Sequence, residues 1–182
     1  SEIHLFTTDD AYVQIERSVR EKLRGKLNDD EMPIITPVHC YRNLILNLLR
    51  KIPLYDPLVG RAGKRSLTVT ILGTGFIGTE MFLTTYWMGQ MLDCELKINV
   101  LSQETEEEFW SKIDYVNPEI RSTTEDGHPI LTKNRKGEKA PAYCRVEYIP
   151  CNVKSSTFVK CLTDGERDIR DTNYFLVALG SD

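Results

Sequence analysis

Apolar residues recur along this chain in two rhythms. Short runs with β-branched residues alternate with longer runs in which apolar positions return every three or four residues. Ile3-His-Leu-Phe6 reads as a first strand, ending in the polar turn Thr7–Asp10, where Asp9 or Asp10 can cap a helix over about Ala11–Leu27. Tyr12, Ile15, Val19 and Leu23 mark one face of that helix, with Arg17, Arg20, Glu21 and Lys22 elsewhere. Pro33–Pro37 is a short strand bounded by prolines, which places it at or near a sheet edge. A helix over about Cys40–Lys51 follows, carrying Leu44, Ile45, Leu48 and Leu49, and Pro53 and Pro57 end it. After a polar link at Gly60–Lys64 come a strand at Leu67–Leu72, a helix to about Met91, a strand at Leu96–Leu101 and a helix over Glu104–Tyr115. Residues 117–140 are polar and read as a long loop or small hairpin insertion. A strand at Tyr143–Ile149, a helix near Ser155–Leu162 and a strand at Tyr174–Leu179 complete the series.

Strands alternating with helices imply an α/β fold with an open, mostly parallel sheet. The last residues, Phe175–Asp182, echo Ile3–Asp10: an apolar strand running into a small polar turn with an acid. On that pattern residues 1–60 form a β-α-β-α segment, the second half of a preceding unit, and residues 65–182 a second unit. The chain opens at Ser1 without methionine, directly on a strand, which fits a fragment of a longer protein.

Composition narrows the classes. With 182 residues, 41% hydrophobic and 27% charged, the chain can bury a core without metals or disulfides. A net charge of −4 argues against a nucleic-acid partner. The five cysteines are odd in number and form no Cys-x-x-Cys pair, which fits reduced thiols in a cytoplasmic protein and disfavours zinc. From Ser66 to Leu92 the only charge is Glu80, yet Gly73, Gly75, Gly78 and six threonines break the stretch. A buried strand, turn and helix account for it better than a membrane span.

The chemistry concentrates at Gly73-Thr-Gly-Phe-Ile-Gly78, between a strand and a helix. In that setting Gly73 permits the tight turn, Gly75 lets a pyrophosphate approach the backbone, and Gly78 lets helix and strand pack closely. The helix start offers N–H groups to an anion. The next strand ends Val100-Leu-Ser-Gln-Glu104, so Ser102 stands where a dinucleotide site carries an acid, and Glu104 reaches the ribose only if the loop curls back. No basic residue follows closely in sequence to hold a 2′-phosphate. The candidate cofactor-binding residues are therefore Gly73, Thr74, Gly75, Phe76, Ile77, Gly78, Ser102, Gln103 and Glu104, with Gly180 and Ser181 bordering the same crevice after the last strand. Glu80 is a further candidate to face a ligand. Trp87, Met81, Met88 and Met91 read as core, as do Cys144, Cys151 and Cys161, and His128 reads as a surface residue. No catalytic set or metal cluster emerges.

The segments Thr68–Thr79 and Val100–Glu104 resemble the Trk-type NAD-binding domains, the regulators of potassium conductance. Ser102 departs from that pattern, where the family carries Asp, as does the insertion 117–140. The resemblance implies a Rossmann-like, doubly wound sheet with helices on both faces. It also implies a non-catalytic regulatory or sensor domain for NAD(H) or another adenine nucleotide, which self-associates or works with flanking domains of a longer chain linked to cation transport. The alternatives are the cofactor domain of an NAD-dependent oxidoreductase, an adenylating enzyme of the ubiquitin-activating type, and a degenerate Rossmann scaffold with no ligand.

Overall fold

A computed structural model describes residues 2–7, 12–28, 31–60, 65–121, 124–125, 144–163, 169 and 171–179. The elements are β1 (Glu2–Thr7), α1 (Tyr12–Leu23), β2 (Ile34–His39), α2 (Cys40–Lys51), a 3-10 turn (Asp56–Leu58), β3 (Arg65–Leu72), α3 (Phe76–Met88), β4 (Cys94–Ser102), α4 (Glu106–Val116), β5 (Thr124–Glu125), β6 (Cys144–Pro150), α5 (Ser156–Thr163) and β7 (Tyr174–Val177). Asp9, Asp10, His128, Gly180, Ser181 and most of the 117–140 insertion lie outside the described residues.

The strands form two parallel sheets. β1 and β2 pair with each other, Glu2 opposite Ile34 through Thr7 opposite His39, and with no other strand among the described residues. The edge position expected of the proline-bounded strand is thus observed, with Pro37 inside β2 opposite Leu5. The larger sheet has the order β5-β6-β4-β3-β7. From β3 the chain winds outward through β4 to β6, then returns to place β7 on the other side of β3. That reversal makes the Rossmann-like, doubly wound topology, and it opens a crevice beyond the carboxyl ends of β3 and β7.

Alternation along the strands supplies the two faces. Leu67, Val69 and Ile71 of β3 pack with Leu96, Ile98 and Val100 of β4 and Val146 of β6. Phe82 and Tyr86 of α3, Phe109, Trp110 and Ile113 of α4, and Ile45 and Leu49 of α2 complete this main core. Phe82 meets Phe109 and Trp110 edge-on, with ring centroids 5.1 and 6.1 Å apart. Leu72, Leu101 and Ile149 point the other way, into a smaller cluster with Cys151, Ile169 and Phe158 of α5. Helices therefore cover both faces.

α3 is apolar all round because it is covered on more than one side, by the sheet and by α2. No helix among the described residues is long and apolar enough to cross a membrane. Two expectations need correction. α1 stops at Leu23, short of Leu27, where Gly25 at φ +82° turns the chain out of the helix. Trp87 and Met88 are half-exposed at the end of α3, whereas Met81 is buried. Cys144 and Cys151 are buried as expected, and burial pushes the Cys144 thiol far up.

Candidate functional site

The glycine turn joins the carboxyl end of β3 to α3, at the point where the strand order reverses. Its backbone is tied to both neighbours. Gly73 N–H donates to Leu101 O at 2.8 Å, and Ala178 N–H donates to Leu72 O at 2.8 Å. Gly73 sits at φ +96°, and a Cβ there would come within 2.5 Å of the Ala178 carbonyl oxygen. At Gly78 a Cβ would overlap the Gly73 carbonyl oxygen. Both glycines are thus demanded by the close approach of turn, helix and β7.

Gly75 has a different role. It is the N-cap of α3, with no side chain capping the helix and no acidic residue in the first turn. The first helical bond at this end runs from Thr79 N–H to Gly75 O at 2.9 Å. No acceptor among the described residues meets the N–H groups of Phe76, Ile77 and Gly78. This helix start therefore carries uncompensated positive potential. Phe76 is exposed, and its ring stacks on Tyr41 of α2 at 6.3 Å.

Across the turn the end of β4 does curl back. Ser102 is buried, its hydroxyl 2.6 Å from Thr74 Oγ1, and it accepts from Glu104 N–H at 3.3 Å. That bend carries the Glu104 carboxylate to Thr74, whose hydroxyl donates to Oε2 at 2.9 Å. Ser102 thus shapes the loop, and Glu104 supplies the carboxylate. Gln103 is exposed and joins none of these contacts.

Two residues that sequence reasoning passed over complete the cluster. Lys112 of α4 donates to Glu104 Oε1 and Oε2 at 2.6 and 2.7 Å and to Thr74 O at 3.2 Å. The Tyr148 hydroxyl of β6 donates to Glu104 O at 2.7 Å. Burial, together with Glu104, Glu106 and Glu108 nearby, pushes the Tyr148 phenol up to about 12, although a hydrogen bond to Ser102 pulls the other way. Spacing held a signal for Lys112. Thr105, Glu108 and Lys112 fall at i, i+3 and i+7, on one face of α4. Thr105 and Glu108 form a capping box at its start, which fixes that face toward the loop.

Glu80 does not join this group. It is buried on α3 and turned to α2, where Arg42 donates to its two oxygens at 3.1 and 3.3 Å and His39 Nε2 lies 3.5 Å away. His39 also caps α2, its Nδ1 accepting from Arg42 N–H at 3.2 Å. The structure therefore brings together Gly73, Thr74, Gly75, Phe76, Ile77 and Gly78 with Ser102 and Glu104. Among the described residues no group of three or more His, Cys, Asp or Glu is placed to hold a metal ion. Comparison with protein-family models, with curated proteins and with solved structures finds no match for this chain.

Proposed function

We propose that residues 65–182 form a nucleotide-binding regulatory domain for an adenine nucleotide of the NAD(H) type, of the kind that Trk-type domains supply. One observation carries the reading: the uncapped start of α3 at Gly75–Gly78 opens at the strand-order reversal, with the Glu104 carboxylate at the end of the neighbouring strand. A ligand phosphate would lie on the N–H groups of Phe76, Ile77 and Gly78, and a ribose beside Thr74 and Glu104. Regulation is favoured over catalysis because the polar side chains gathered at the turn are spent on one another. Thr74, Ser102, Glu104 and Lys112 form one hydrogen-bonded set in which Lys112 neutralises Glu104.

Thermal unfolding with NAD⁺, NADH, ATP and AMP tests this reading. A ligand at a hundred times its Kd adds about 2.7 kcal/mol of stability, which raises Tm by several degrees. The expected outcome is such a shift with one adenine nucleotide and its loss in Gly75→Asp, which puts a carboxylate where the phosphate would lie. No shift with any of them would reduce the glycine turn to architecture.

A further inference from the structure

The chain after Ser102 offers no cation close in sequence for a phosphorylated ribose, yet the fold delivers one. The ammonium of Lys112 lies against Glu104 and Thr74, at the corner where a nucleotide's ribose would be read. What that cation does depends on how its donors are used. A lysine has three N–H donors, and here the Glu104 carboxylate, met at both oxygens, and the Thr74 carbonyl together hold the ammonium. A ligand phosphate would have to compete with that carboxylate for the ammonium.

Charge points the same way. Glu104 pairs with Lys112, Glu108 stands one turn before it on α4, and Glu106 and Glu107 add negative charge to the first turn of that helix. A dianionic 2′-phosphate would have to draw Lys112 away from Glu104 and then sit beside that carboxylate. A free 2′,3′-diol requires neither, because its hydroxyls donate to the carboxylate. Glu104 has about four acceptor positions, and Lys112 and Thr74 leave part of that capacity open, so a diol can share the carboxylate with Lys112 still in place.

We propose that Lys112 is a masked phosphate-binding cation: Glu104 holds it, and the pair makes this corner accept an unphosphorylated ribose and reject a 2′-phosphate. Lys112 acts through Glu104 and is a positioning residue in the native site. It becomes a phosphate ligand when Glu104 is removed. This inference rests on the nucleotide reading above.

Titration calorimetry at one fixed ionic strength tests it, with two probe pairs: NAD⁺ against NADP⁺, and adenosine 5′-phosphate against adenosine 2′,5′-bisphosphate. The wild-type chain should bind the member without the 2′-phosphate at least about tenfold tighter. In Glu104→Gln that ratio should fall to near one or invert, because the amide no longer neutralises Lys112. In the double variant Glu104→Gln/Lys112→Met the gain for the 2′-phosphate should vanish, whereas Glu104→Gln/Lys112→Arg should keep it. Unfolding curves without ligand establish that each variant is folded. Equal binding of both members by the wild type, an unchanged ratio in Glu104→Gln, or a gain that survives Lys112→Met would each overturn the proposal. Failure of all four probes on the wild type and on every folded variant would sink the nucleotide reading itself, and this inference with it.

Discussion

The β1–β2 sheet and the five-stranded sheet are both parallel ladders, and they differ in what covers them. In β3 six of eight residues are buried, and the main core crosses it. In β2 none is buried, and Phe6 of β1 and Ile34 of β2 are 71% and 66% exposed. The share of apolar residues in each strand does not account for this difference. β3 carries four polar residues, Arg65, Ser66, Thr68 and Thr70, and Thr70 is fully buried, bonded to Thr172 and Asn99. Ile34 is a stronger β-former and faces outward. Burial follows position: a strand flanked by β4 and β7 and covered by helices is enclosed, while a two-stranded ladder has two open edges and little to pack on.

The largest expected effect comes from mutating one phenylalanine in each region. Phe82→Ala removes a ring packed on Phe109 and Trp110 and should cost about 3–5 kcal/mol in denaturant unfolding. Phe6→Ala should change stability by less than about 0.5 kcal/mol. Equal losses would mean that the small sheet is covered in solution, and the contrast between the two sheets would be lost.

Glycines sharpen the comparison at intermediate size. Gly78→Ala forces a methyl into the Gly73 carbonyl and should cost about 3 kcal/mol, as overpacking against backbone does. Gly25, at φ +82° after α1, has open space around it, so Gly25→Ala should cost about 1 kcal/mol from backbone conformation alone. Thermal unfolding of the two variants separates steric overlap from conformational strain. A Gly78→Ala variant as stable as the wild type would show that turn and helix can move apart.

The smallest effects lie on exposed helix ends. Thr105→Ala removes the capping box of α4 and should cost about 1 kcal/mol. It should also change the pH dependence. The Thr105 backbone N–H, then its hydroxyl, hold the Glu108 carboxyl below the usual carboxylate range. A carboxyl with a lowered folded-state pKa stabilises at neutral pH, and that stability is lost as pH falls from the ordinary carboxylate range through the folded value. Thr105→Ala removes the hydroxyl and keeps the backbone N–H, so it should flatten this acid limb only in part, and an unchanged limb would show that the hydroxyl does not hold Glu108 in solution. In α1, breaking the exposed Arg17–Glu21 pair with Arg17→Gln should change stability by no more than about 0.5 kcal/mol.

Much of the fold was legible because periodicity and punctuation are local. The bounds of α2 match the pattern at Cys40–Lys51, since Pro53 follows and Leu44–Leu49 keep the helical spacing. β3, β4 and β6 fall on their β-branched runs, and the Gly73–Gly78 turn lies between strand and helix as its spacing requires. The site was half legible. Ser102 and Glu104 stand within two residues of a strand end, so their nearness to the turn could be expected. The direction of Glu80 could not, because the Arg42 that draws it to α2 lies 38 residues away.

The sequence by itself determined the order of elements, the parallel sheet and the glycine turn, because these depend on residues within a few positions of one another. Only the tertiary structure decided how little packs on the small sheet, that Gly78 answers to packing while Gly75 leaves the helix start open, and that Lys112 comes to rest on Glu104 and Thr74. Those outcomes depend on contacts between segments far apart in the chain, where the meeting of a helix face and a strand end, more than residue type, sets which charges pair.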